Sequence, residues 1–479
     1  MNQNDIVLSY LEDAEYPDKK YLFRPHEWYP EYPFKKDISK EKNTVYEMVR
    51  NSFYLAGFDR KHYGTKEWNP LGKFIKEGEV ILLKPNLVMH ENPGMYGTEC
   101  LYTNPALIAA VIDYVCVALK NSGKIIIADA PMQECDFERL IRESGYLDLV
   151  TYYQKKGIHI ELTDLRNKKT KLVKHVHKVI ENKNNGVMID LKNKSAFSTL
   201  SAGRLKKLRI TNYHPFVLSR NHNQYHHKYC ISSKVLQADV IINMPKPKTH
   251  RKAGVTISQK NLIGVNAGKE YLPHYTVGGV GKGDAYIKRN VFLSISEGCL
   301  DMKNICESHN WYILCKAAIL FHKLFKGFGR QITSEPYFEG SWYGNDTIWR
   351  TIKDMNYIVT YADKKGVLQK SKQRRQLIIA DFIVAGEGEG PLMPKPHVMH
   401  TVAVGYDNLC FDKVICSLMG IDYKKIPSVR QAEHIKEHVI SNNIKWDGKT
   451  CEELYSTMQS FLMPDGWKNY KNHISLGKK

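Results

Sequence analysis

Short apolar runs separated by helix-like stretches set the pattern of this chain. Val80–Leu83, Lys124–Ala128 and Val240–Met244 are dominated by aliphatic and β-branched residues, the pattern of strands buried on both faces. Ile158–Leu162, Leu377–Ala380 and Thr401–Val404 read the same way. Between the first two runs, Thr103-Asn104-Pro105 opens a helix with a cap residue and an early proline, and Gly123 closes it. A helix over about Asp136–Ser144 follows, and Phe411–Met419 predicts another, stopped by Gly420. Strand and helix alternating through short links predict an α/β fold: a mainly parallel sheet with flanking helices and an inserted, largely helical lobe.

The same pattern divides the chain. Residues 1–45, rich in Tyr, Pro and charge, read as an irregular arm. Residues 46–290 read as an α/β domain and 291–363 as the helical lobe; 364–425 complete the α/β core, and 426–479 form a helical tail. Within the first domain, Lys171–Val179 reads as a basic ribbon. Gly278-Gly279-Val280-Gly281-Lys282-Gly283 reads as a flexible, partly basic lid.

Four of the expected strands end in polar punctuation: Lys84-Pro85-Asn86, Asp129-Ala130-Pro131, Pro245-Lys246-Pro247-Lys248, and Asp381. In a parallel sheet those ends share one edge, the edge where open α/β sheets bind ligands. The prolines at 245 and 247 fix φ and remove donors, so Lys246, Lys248 and His250 are expected on a stiff loop. Lys260-Asn261, Gly264, Gly268 and His274 follow closely. Lysine suits phosphate or carboxylate as a point charge, and histidine titrates near neutrality. Lys84, Asn86, Lys246, Lys248, Asn261 and Asp407 are therefore the candidate substrate-binding residues. Lys260, His250, His274 and Asp381 are the candidate catalytic ones. In Gly386-Glu387-Gly388-Glu389-Gly390, carboxylates alternate with glycines and are expected on a bare, adaptable loop; Asp381, Glu387 and Glu389 together are a candidate magnesium-type site. His222 and His226 in the His/Asn-rich loop are spaced as metal ligands only if that loop is helical.

Charge adds one constraint. The 479 residues carry 70 Lys+Arg against 50 Asp+Glu, a formal net charge of +20, which attracts phosphates, nucleic acid or anionic membrane surfaces. The N-terminus lacks the basic and apolar regions of a secretory signal. No run approaches the roughly eighteen apolar residues of a spanning helix. Trp311–Phe325 is the most apolar helix candidate; it reads as a core or lobe-docking helix, with a membrane-surface helix as the alternative. Ten cysteines without a CxxC pair fit reduced thiols in the cytoplasm and argue against an iron–sulfur cluster. The Gly278–Gly283 run lacks the first glycine and the final Ser/Thr of a P-loop, and no GxGxxG follows a strand. A divalent metal is the cofactor class these residues leave open.

Lys84-Pro85-Asn86, the Ala238–Asn243 strand, Pro245–His250, Lys260-Asn261-Leu262-Ile263-Gly264, Asp381 with Glu389-Gly390-Pro391, and Gly405-Tyr406-Asp407 together resemble the uncharacterised prokaryotic domain of unknown function family 362. The resemblance covers roughly residues 75–425 and implies the extent of the domain rather than its reaction. Some members of that family carry ferredoxin-like cysteine clusters; this chain has none. A weaker likeness, at the level of residue types, is to the lactate racemase family, whose nickel-pincer cofactor is held through a lysine. There Lys260, His250 and His274 are the analogous residue types. The expectation is a cytoplasmic enzyme acting on a small carboxylated or phosphorylated metabolite. A nucleic-acid-binding or RNA-processing protein and a non-catalytic partner in an enzyme assembly are the alternatives.

Overall fold

Ten strands join in one sheet in the computed structural model, which describes residues 1–472 apart from 20–21, 36, 121, 174–175, 183–185 and 335–336. They are β1 (Asp5–Tyr10), β2 (Val80–Pro85), β3 (Lys124–Asp129), β4 (Ile160–Asp164), β5 (Val240–Met244), β6 (Lys248–His250), β7 (Gly254–Thr256), β8 (Arg375–Glu389), β9 (Met393–Gly405) and β10 (His438–Ser441). The order is β10-β1-β9-β8-β5-β2-β3-β4, with β6 and β7 attached beside β8. Within that row only β9 runs against the rest. The sheet is therefore mostly parallel, as predicted, and the carboxyl ends of its parallel strands share an edge.

Both faces of the sheet are covered, which is why its strands are apolar at consecutive positions. Ile81 and Leu83 of β2 enter a core built with helices α1 (Thr44–Leu55), α2 (Pro105–Leu119), α3 (Phe137–Ser144) and α4 (Tyr146–Lys155). Leu82 points the other way and joins Ile126 and Ile241. Two further helices lie in chain order beyond these, α5 (Val291–Ser308) and α6 (Tyr312–Thr333); they form a helical region within the expected 291–363 lobe, whose remaining helix packs on the sheet instead. On the Leu82 face, α7 (Ile348–Tyr361) covers β2, β3 and β5, while α8 (Asn408–Leu418) covers β1, β8 and β9. The predicted start of α2 is borne out: the Asn104 side chain accepts from Ala106 N at 2.9 Å and Pro105 sits in the first turn.

Several local expectations change. Short stretches of both terminal segments enter the main sheet, as β1 and β10, where the pattern predicts an irregular arm and a helical tail. Those strands are short and one lies at the sheet edge, so each has too few alternating positions to be recognised alone. The Glu387–Gly390 stretch is no bare loop: β8 continues through Glu389 and pairs with β9 as far as Met393. Glycine lowered its apparent strand character, yet Gly386 is needed where β6 crosses, since a Cβ there would meet the Lys248 Cβ at 2.9 Å. The Pro245–His250 segment is not a free loop either; Lys248–His250 is β6, paired with β7 and with β8. The expected basic ribbon is a two-stranded pair, Lys168–Val173 with Val176–Glu181. The glycine-rich Gly278–Gly283 lid is tied down by Asp284, whose carboxylate accepts from Thr276 N, Asp346 N and the Thr347 hydroxyl.

Candidate functional site

Two buried ion pairs organise the carboxyl edge. Lys84, ending β2, reaches the Asp129 carboxylate of neighbouring β3 at 2.7 Å. Asp129 is held in turn by the backbone N–H groups of Leu87 and Ala130. Burial pushes the Lys84 ammonium below its ordinary value, with Asp129 opposing. The second pair is Lys246 with Asp381 at 3.0 Å, both fully buried. Asp381 also accepts from Asn104 N and from the Tyr16 hydroxyl, and Lys246 donates to that same hydroxyl. Desolvation and the neighbouring Asp381 charge raise the Tyr16 phenol well above its usual range. Lys84 and Lys246 are thus each matched by a carboxylate from a neighbouring strand, Asp129 and Asp381 respectively.

The amides work as braces. Asn86 accepts from Lys246 N at 2.6 Å. Asn261 accepts from Lys84 Nζ and donates to Lys84 O and Asn243 Oδ1. The turn Ser258–Asn261 that carries Lys260 is pinned from its other side by Asp412 of α8. That carboxylate accepts from Ser258 N, Ser258 Oγ, Gln259 N and Gln259 Nε2. Burial raises the Asp412 carboxyl to about 7. Lys260 is therefore held on a turn fixed at both neighbours while making no ion pair of its own among the described residues.

Lys248 stands apart from these. Its side chain is fully buried, and its ammonium nitrogen has no hydrogen-bond partner among the described residues. Burial first, with the like charges of Lys246 and Lys260 opposing protonation, lowers it to about 7. Lys260 is half-buried and also lowered to about 7, by desolvation and by Lys269, Lys252 and Lys84. Lys269 is brought to about 8 and Lys252 is lowered, desolvation leading in both. Lys252, Lys260, Lys269 and His274 each keep some accessible surface, so this cluster of lysines and histidines, termed the carboxyl-edge basin, is open to solvent on that side.

His250 and His274 carry opposite tautomers. His250 Nδ1 accepts from Lys252 N at 3.0 Å and Ala253 N at 3.1 Å, so its proton lies on Nε2. His274 Nδ1 lies 2.8 Å from the Leu272 carbonyl, which only accepts, so its proton is on Nδ1 and Nε2 keeps a lone pair. Burial and the surrounding lysines push both imidazoles well below their ordinary value, which keeps them neutral. One ring is left as a hydrogen-bond donor and the other as an acceptor, the requirement for paired acid–base work.

Other expected members lie elsewhere. Asp407 caps α8, accepting from Leu409 N and Cys410 N, and it sits at the opposite, amino edge of the sheet. There it borders a cleft of about 880 Å³ with Asp239, Arg375 and Tyr406. It follows β9, whose reversed direction carries its end away from the basin. The expected metal trio does not assemble. Glu387 accepts from Leu462 N and faces His397, Glu389 pairs with Arg251 and accepts from Asp465 N, and Asp381 is occupied as described. Among the described residues no three His, Cys, Asp or Glu side chains are grouped to hold a metal. The His222–His226 spacing is not helical: His222 pairs with His227 across a β-bridge, and His226 faces Asp190.

The reading of the sequence missed Tyr16, Lys252, Lys269, Arg166 and Asp412. Arg166 is fully buried, pairs with Asp164 and ties Met132, Gln133 and Cys135 carbonyls in the loop after β3. Lys252 and Lys269 flank the motif and were legible as cations next to it. Nothing local in Tyr16, which reaches Asp381 across 365 positions, signalled its place.

Apart from Tyr16, the residues gathered at this edge fall within a stretch that matches a family model at residues 81–184 and 179–417. The chain belongs to the family described as Domain of unknown function (DUF362). The DUF362 match spans β2 through α8, so it includes the two ion pairs, both histidines and the free lysines. Thylakoid-associated protein sll1697 of Synechocystis sp. (strain ATCC 27184 / PCC 6803 / Kazusa) is 27% identical over 224 residues. The matched stretch is 46% of this chain and 50% of that protein, so the chain spans about half the length of this relative. No solved structure matches the chain.

Proposed function

We propose that the carboxyl-edge basin is the active centre of an enzyme acting on a small anionic metabolite, carboxylated or phosphorylated, by acid–base chemistry. The observation that carries this reading is Lys248: a buried ammonium with no hydrogen-bond partner among the described residues. An unpaired buried cation is costly unless something negative meets it. Lys260, also without an ion pair among the described residues and held on a braced turn, is the second anion contact. The neutral His250 Nε2–H then donates to a developing negative charge, while the His274 Nε2 lone pair takes a proton. Lys84, Asp129, Lys246, Asp381, Asn86 and Asn261 hold the frame that sets these groups. A basin of interior lysines suits a small molecule better than a nucleic acid, whose backbone is met by cations at a surface. All ten cysteines are free and nine are buried, which supports a reducing compartment such as the cytoplasm.

Thermal melting against a panel of small carboxylates and phosphate monoesters tests the reading. The expected result is stabilisation that persists at 0.5 M salt and disappears in Lys248→Met and Lys260→Met. Wild type and both variants responding identically to every compound would remove the basin from the function. Binding that collapses with rising salt and prefers oligonucleotides would favour the nucleic-acid alternative.

A further inference from the structure

The helical hairpin turns an apolar surface outward. Helix α6 packs along α5 through Cys315, Ala318, Gly329 and Thr333, its buried positions. Gly329 allows this approach, because a Cβ there would fall 2.6 Å from a Leu293 methyl. The opposite side of α6 carries Ile313, Leu320, Leu324 and Phe328, which are 86%, 65%, 47% and 46% exposed. At about 100° per residue these four fall within an arc of roughly 80°, a continuous ridge along the helix. Lys316, Lys323 and Arg330 recur every seven residues and so form a basic row down one flank of that ridge. No acidic residue occurs from Asn310 to Thr333. At the hairpin tip, Trp311 and Tyr312 are 51% and 40% exposed. No helix among the described residues is long and apolar enough to cross a membrane.

We propose that the outer face of α6 lies on an anionic lipid surface, with the apolar ridge in the acyl boundary and the basic row among the headgroups. Charge complementarity selects this occupant. Two copies of the face packed antiparallel would bring rows of like charge together, and packed parallel would leave each row without a counter-charge, whereas an anionic bilayer satisfies ridge and row at once. Trp311 and Tyr312 have the amphipathic rings that favour the headgroup level. The sequence pattern left this helix as a core or docking element; its exposure makes the membrane-surface alternative the one that fits. This inference is independent of the basin chemistry.

Flotation of the full chain with vesicles tests it. Partition into 7:3 phosphatidylcholine:phosphatidylglycerol vesicles is expected to exceed partition into pure phosphatidylcholine by at least about tenfold at physiological salt. Leu320→Glu/Leu324→Glu and Lys316→Gln/Lys323→Gln should each lose at least about tenfold while melting at the wild-type temperature, since all four positions are exposed. Equal binding to neutral and anionic vesicles, or a Leu320→Glu/Leu324→Glu protein that still floats, would overturn the proposal. So would a wild-type dimer in sedimentation velocity that becomes monomeric in this variant while no vesicles are bound; the face would then belong to a second copy.

Discussion

Gly264 presses its backbone against the carboxylate of Asp129. A Cβ at position 264 would sit 1.9 Å from Asp129 Oδ1 and 2.9 Å from Lys84 Nζ. The glycine after Lys260-Asn261 is thus required by the buried ion pair beside it, and Gly264 O also accepts from Ala130 N. Gly264→Ala must displace either the turn carrying Lys260 or the Lys84–Asp129 pair. The expected loss is on the order of 3 kcal/mol or more, from strain and a loosened buried charge pair. Urea unfolding measures it; a loss under 1 kcal/mol would show that the pair has room to move.

The Lys246–Asp381 pair should respond unequally to its two supports. Asp381→Asn leaves a buried ammonium uncompensated and should cost about 3–5 kcal/mol. Tyr16→Phe removes one hydroxyl from the same cluster and should cost about 1–3 kcal/mol. Equal losses in the two proteins, read from denaturation midpoints, would show that the charge pair is not the main term.

Lys248 makes ligand-free stability depend on pH. Its folded value is about 7, against about 10.4 in an unfolded chain. Between those values the unfolded chain binds more protons than the native one, so stability rises with pH across this window. Below about 7 the lysine is protonated in both states and the burial penalty is present in full. Lys248→Met should be more stable than wild type at pH 6.5, with the difference shrinking toward pH 10. Urea midpoints of both proteins across that range check the sign. An anionic ligand should show the opposite trend, binding more weakly as pH rises through 7.

The histidine tautomers can be read directly. In ¹⁵N NMR at pH 6, His250 should show a protonated Nε2 and His274 a protonated Nδ1, both rings neutral. A doubly protonated ring at either position would remove it from the acid–base pair described above.

Much of the architecture was legible because it depends on local pattern. The apolar runs of β2, β3 and β5 and the Asn104-Pro105 start of α2 each declare themselves within a few residues. The strand-end motifs Lys84-Pro85-Asn86 and Pro245–His250 could be placed on one edge because parallel strands must align their carboxyl ends. The Glu387–Gly390 stretch was misread because glycine depresses strand propensity wherever it occurs, while its requirement at Gly386 comes from a neighbour, Lys248, far away in the chain. Exposure of the α6 ridge was equally hidden, since apolar periodicity marks a helix face without saying what meets it.

The sequence by itself determined which side chains stand at the sheet's carboxyl edge: lysines, amides and histidines at strand ends and in the turn after β7. Only the tertiary structure decided which of those charges are already neutralised. Lys84 and Lys246 are matched by Asp129 and Asp381, which arrive from other strands, whereas the Lys248 ammonium has no hydrogen-bond partner among the described residues. Pairing of charges is a property of distance in space, and residues 135 positions apart in the chain, such as Lys246 and Asp381, carry no local sign that they will meet.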